Sequence, residues 1–128
     1  MIKNSLIALF IFILLCQPVF ALDPNDLLIN SAYNCDPAGI KQALSLGADA
    51  RVETLDGQTA LMFLARCGDT PQIKSAIAYL IARGASPALL GYFGNEVYSA
   101  CDIAILHGNI QTARLLNKAG APCRKKIN

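Results

Sequence analysis

Tryptophan is absent, histidine occurs once, and only 16 % of the residues are charged. A lone His107 gives no basis for a histidine-rich metal site. A catalytic role for it would need a nucleophile and an orienting acid beside it. Ser99 and Asp102 are near in sequence, but both fall where a helix start needs a cap and a turn-facing polar group, and no nucleophile motif accompanies them. The expectation is a non-enzyme with no catalytic, cofactor-binding or metal residues. Blocks of like charge are missing except for Arg124-Lys125-Lys126, a tail that reads as a solvated terminus and not a nucleic-acid patch. No Cys-x-x-Cys pair occurs. Cys35, Cys67, Cys101 and Cys123 are spaced by 32, 34 and 22 residues, which fits neither a zinc site nor a thioredoxin-type motif.

Apolar residues, by contrast, make up 54 % of the 128-residue chain, and much of that excess lies at the N-terminus. Lys3 gives a short positive start, residues 6–16 are an uncharged apolar run, and Val19-Phe20-Ala21 places small residues where a signal peptidase needs them. Residues 1–21 are therefore expected to be a signal peptide and residues 22–128 one exported domain. Gln17-Pro18 interrupts the run before it reaches the length of a membrane span, so no stable anchor is expected after cleavage. Leu15 stands where a lipoprotein box would need a small residue before Cys16. The short leader with one lysine suggests the periplasm, with secretion as the alternative. In that oxidising setting four cysteines imply two disulfides.

Three Gly-Ala steps punctuate the remainder: Gly47-Ala48, Gly84-Ala85 and Gly120-Ala121, 37 and 36 residues apart. A fixed period of this size is the mark of a stacked repeat. Helix signals precede each step in pairs. Asp23-Pro24, Asp36-Pro37 and Thr70-Pro71 set an acceptor before a proline, while Thr59, Ser99 and Asn109 are further cap candidates. The period is uneven. Gly68 to Gly84 spans 16 residues against 12 from Gly108 to Gly120, which lengthens the middle second helix by about one turn. Gly84 to Gly108 spans 24 against 21 from Gly47 to Gly68, which puts a three-residue insertion in the apolar stretch 87–95.

Gly57-Gln58-Thr59-Ala60-Leu61-Met62-Phe63-Leu64-Ala65, continuing to Gly68, resembles the central signature of the ankyrin repeat family. Ser99-Ala100-Cys101-Asp102-Ile103-Ala104 with Gly108-Asn109 matches more loosely, and the first unit is degenerate. The resemblance implies an all-α solenoid of three helix-turn-helix repeats, at about 24–54, 55–94 and 95–124, stapled by disulfides. In that register Cys35 and Cys67 take nearly equivalent places in adjacent repeats. Cys101 takes a buried position and Cys123 follows the last Gly-Ala step, which implies Cys35–Cys67 and Cys101–Cys123. The rival Cys67–Cys101 would strand the other two.

The resemblance also implies a protein-binding module, met at its finger tips and inner-helix face, acting as a monomer or in a 1:1 complex, in the manner of an inhibitor or immunity protein. The positions so mapped are Leu55, Asp56, Gln58, Arg66, Asn95, Glu96, Tyr98, Leu106 and His107, with Tyr92 and Phe93 from the insertion. Alternatives are that Leu89, Leu90, Tyr92 and Phe93 fold back as a cap, that the chain is a structural or homo-oligomeric scaffold, or that it is a thiol redox protein.

Overall fold

The computed structural model describes residues 23–124. The expected signal peptide over residues 1–21 and the last part of the basic tail lie outside the described residues. Six α-helices form three consecutive pairs: α1 (Pro24–Tyr33) with α2 (Pro37–Ser45), α3 (Ala60–Ala65) with α4 (Pro71–Ala82), and α5 (Ala100–Leu106) with α6 (Ile110–Lys118). Helices α1, α3 and α5 pack side by side as one layer, and α2 and α4 pack together behind it. Helix α3 is sandwiched in that layer, and all six of its residues are buried. That is why its sequence is apolar all round and carries no helical stripe. Leu28, Ile40, Leu61, Leu64, Ile77, Leu80 and Leu116 are fully buried, each favouring the folded state by about 1.5–3 kcal/mol.

The chain is mostly helical but not all-α. The apolar stretch 87–95, expected to hold a three-residue insertion within an all-α fold, continues into an antiparallel hairpin of β1 (Leu90–Phe93) and β2 (Glu96–Ser99), with Tyr92 opposite Val97 and Phe93 opposite Glu96. The cause is local. Aromatic and β-branched residues flank Gly94-Asn95, and Gly94 takes the positive φ of +68° that a two-residue turn requires. The corresponding connection between α2 and α3 manages only an isolated bridge, Glu53 to Thr59.

Most helix starts follow the sequence. The side chains of Asp23, Thr59, Thr70 and Ser99 accept from backbone N–H groups of the first turn, and proline opens α1, α2 and α4. Two expected caps fail, since Asp36 and Asn109 make no side-chain cap bond. At α6 the task passes to the preceding pair. Asp69 accepts from the Thr112 and Gln111 N–H groups at 2.8 and 3.2 Å, while the Asn109 amide donates to the Ala65 carbonyl at 3.0 Å. The helix start is thus capped across units, which ties its formation to stacking. Helix α4 has 12 residues against 9 in α2 and α6, so the extra turn falls where the glycine spacing placed it.

The cysteines are joined as Cys35–Cys67 and Cys101–Cys123, with Cα separations of 5.6 and 5.3 Å. Cys35 is, among the described residues, the one non-glycine with positive φ, at +56°. Gly68 and Gly108 occupy the same left-handed place between the helices of the next two pairs. A side chain there is unfavourable by about 1 kcal/mol, a cost offset by a disulfide that stabilises by about 2–4 kcal/mol.

Candidate interaction surface

The left-handed residue after α1, α3 and α5 fixes which side chains precede it. Two positions back stand Tyr33, Arg66 and Leu106, one from each pair, at the open ends of the first-layer helices. Tyr33 is 57 % and Leu106 55 % exposed, high for side chains so apolar. Between them the Arg66 guanidinium lies 4.3 Å from the Tyr33 ring centroid, and its Nη2 donates to the Tyr33 carbonyl at 2.5 Å. Tyr33, Phe63, Phe93 and Tyr98 form a chain of edge-to-face contacts at 5.7, 6.4 and 6.1 Å, crossing from the first pair to the hairpin. Such contacts hold rings in fixed relative orientation and contribute about 0.5–1.5 kcal/mol each.

Where this chain reaches α5 it borders a groove of about 160 Å³, lined by Arg66, Phe93, Tyr98, Ile103, Leu106 and His107. Five of these six are residues that the sequence singled out. The sixth, Ile103, belongs to the buried core. His107 follows α5 as its C-cap and is exposed.

The hairpin divides the insertion residues by its alternation. Gly91 is buried and Phe93 half-buried toward the body, whereas Leu90 and Tyr92 face outward, Tyr92 at 57 % exposure. The insertion is thus part cap and part rim. Its backbone docks on the preceding connection: the Tyr92 N–H donates to the Asp56 carbonyl at 2.8 Å, and Gln58 Nε2 donates to the Tyr92 carbonyl at 2.6 Å. Gln58 is therefore engaged in holding the two connections together, as is the main chain of Asp56. Leu55 is fully exposed at the tip, and Asn95 and Glu96 are exposed at the hairpin turn; these three lie outside the groove. The Tyr98 hydroxyl donates to Glu96. That hydrogen bond first, then burial and the negative charge of Glu96, raises the phenol pKa above its ordinary value of 10.0.

Ser99 and Asp102 are committed to structure. Asp102 is buried and accepts from both the Arg124 N–H and Nε, at 2.7 and 3.0 Å, while the Ser99 hydroxyl donates to the Pro122 carbonyl and Arg124 Nη2 to the Val97 carbonyl. The segment after α6 is thereby fastened to β2, beside the Cys101–Cys123 bond. Sequence reasoning missed this fastening, since it read Arg124 only as part of a basic tail. It also missed Tyr33, although Tyr33 stands at the position equivalent to Arg66 and Leu106. All four cysteines of the described residues are in disulfides, and no helix among those residues is long and apolar enough to cross a membrane. No protein-family model matches this chain, and no curated protein matches it either.

Proposed function

We propose that this chain is an exported ankyrin-repeat domain, stapled by its two disulfides, that binds one protein partner through the side bearing the groove. Three helix pairs with left-handed residues at matching places support the repeat assignment, and stacking is what such short pairs need in order to bury their apolar faces. The disulfides suit an oxidising compartment, and the periplasm agrees with a signal peptide over residues 1–21. The observation that carries the binding reading is Leu106, more than half exposed in the lining of a groove built on rigid aromatic contacts, with Tyr92 equally exposed on the outward face of the hairpin whose Phe93 lines that groove. Preorganised aromatic and arginine side chains are the ones that dominate interface energies. An inhibitor or immunity role is the form of binding we favour.

Quantitative capture from periplasmic extract tests the reading. Wild type should enrich a partner that Tyr92→Ala plus Leu106→Asp loses by about tenfold or more, with thermal stability unchanged. Equal recovery by both proteins would remove the groove as the binding face. A second reading, a self-associating scaffold, draws on the apolar groove of about 370 Å³ between α4 and α6, lined by Ala78, Ile81, Ala82, Leu115 and Ala119 with Lys118 at its edge. Sedimentation showing a dimer that Ala78→Glu dissociates would favour it.

A further inference from the structure

Arg66 has no carboxylate partner among the described residues. The two ion pairs there join Arg51 to Asp49 and Arg124 to Asp102. The Nε of Arg66 is buried and meets no acceptor among the described residues. Its Nη2 is taken by the Tyr33 carbonyl, and its plane is held over the Tyr33 ring. An arginine so fixed has already lost most of its side-chain freedom, so a ligand would gain its charge at little ordering cost. The groove beside it has about the volume of one side chain, and Phe93, Ile103 and Leu106 give it apolar walls.

We infer that this groove anchors an acidic residue adjoining an apolar one on the protein partner. The carboxylate pairs with the Arg66 guanidinium, and the neighbouring apolar side chain sits between Phe93 and Leu106. This rests on the binding face proposed above. A carboxylate only accepts hydrogen bonds and complements the guanidinium charge, and it would meet Arg66 from the groove side that this residue lines while Nε stays covered. A carboxylate already stands next to one lining residue, since Glu96 accepts from the Tyr98 hydroxyl, and its charge selects against a polyanion. The segment recognised therefore carries a single acid among neutral or basic neighbours.

The test is a nuclear magnetic resonance titration of the oxidised protein with two blocked peptides, acetyl-Gly-Leu-Asp-Gly-amide and its Asn counterpart. The Asp peptide should bind at least about fivefold more tightly and shift the Arg66 Nε–H and the Ile103 and Leu106 methyl resonances. Raised salt should shrink the advantage, Arg66→Lys should keep part of it, and Arg66→Gln should abolish it. Equal binding of the two peptides by wild type, no binding of either, or an Asp advantage that survives Arg66→Gln would overturn the inference. So would groove shifts that grow with protein concentration alone, which would make a second copy the occupant. If the peptides fail while Tyr92→Ala plus Leu106→Asp still abolishes partner capture, the binding face stands and only the acidic anchor falls.

Discussion

Between α2 and α3 the chain turns back through one antiparallel bridge, Glu53 to Thr59, whereas between α4 and α5 it runs through the four-residue strands β1 and β2. The short connection carries polar residues and a fully exposed Leu55; the long one carries Leu90, Tyr92, Phe93, Val97 and Tyr98. Apolar content alone would make the long connection either a loose sticky loop or a cap. Strand alternation makes it both at once, because successive side chains face opposite ways. Phe93 goes inward to Phe63 and Tyr98, and Tyr92 stays outside. The long connection also leans on the short one through Asp56 and Gln58, so their rigidities are coupled.

The largest expected effect separates the supports of the two connections. Replacing Cys101 and Cys123 together by Ala should cost about 3 kcal/mol in urea unfolding. It should also speed amide exchange in β1 and β2 before it does so at Glu53 and Thr59. Removing Cys35 and Cys67 should cost a similar amount but leave hairpin exchange slow. The same exchange pattern in both variants would show that the hairpin is not fastened from its own side.

Next comes the contact between the two connections. A Cβ at Gly91 would lie 2.8 Å from both the Gly57 carbonyl oxygen and Met62 Sδ. Met62 can swing aside, but the backbone oxygen cannot. Gly91→Ala should therefore destabilise by about 2 kcal/mol. At Gly57, where φ is +74° and the nearest atom is the Leu90 carbonyl oxygen at 3.4 Å, the cost of Ala should be about 1 kcal/mol from the left-handed backbone. Equal costs would mean that the close approach at Gly91 relaxes freely.

Inside the hairpin, Phe93→Ala should lower stability by about 1–2 kcal/mol, while Tyr92→Ala should stay within about 0.5 kcal/mol. Matching losses would erase the division into cap and rim.

How much of this the sequence revealed depended on whether a feature repeats. Gly47, Gly84 and Gly120 recur 37 and 36 residues apart, which made the three pairs readable, and the longer gap from Gly68 to Gly84 made the longer α4 readable. Cys35 was readable because it takes the place that Gly68 and Gly108 hold in the next two pairs. Non-periodic features were harder. The β1–β2 hairpin depended on Gly94-Asn95 between β-forming residues, a signal two residues long. Asp69 was invisible as the cap of α6, because its acceptors serve N–H groups about 42 residues away and nothing local marks the pairing. The Arg124 contact to Asp102 was hidden in the same way. In the groove, Arg66 and Leu106 were found by register, and Tyr33 was missed only because the first unit is degenerate.

Asp69 provides the smallest predicted effect. Partial burial opposes its ionisation, but the Thr112 and Gln111 donors and nearby Lys74 outweigh that and hold its pKa below 3.8. A depressed folded-state pKa adds stability that is present above the unfolded value and lost as pH falls through the folded one. Thermal stability should thus decline below about pH 4, and Asp69→Asn should flatten part of that acid limb. Thr70, which caps α4 from within its own unit, does not titrate, so Thr70→Ala should lower stability evenly across the range.

Site-specific photo-crosslinking in living cells tests the central claim of a protein-binding face most directly. Photoreactive residues would be placed at the positions of Tyr92, Leu106 and Leu46. Leu46, at 58 % exposure, is an equally apolar site beyond α2 and outside the groove. One discrete protein adduct is expected from positions 92 and 106 and none from 46. Adducts from position 46 alone, or from all three without distinction, would contradict the claim.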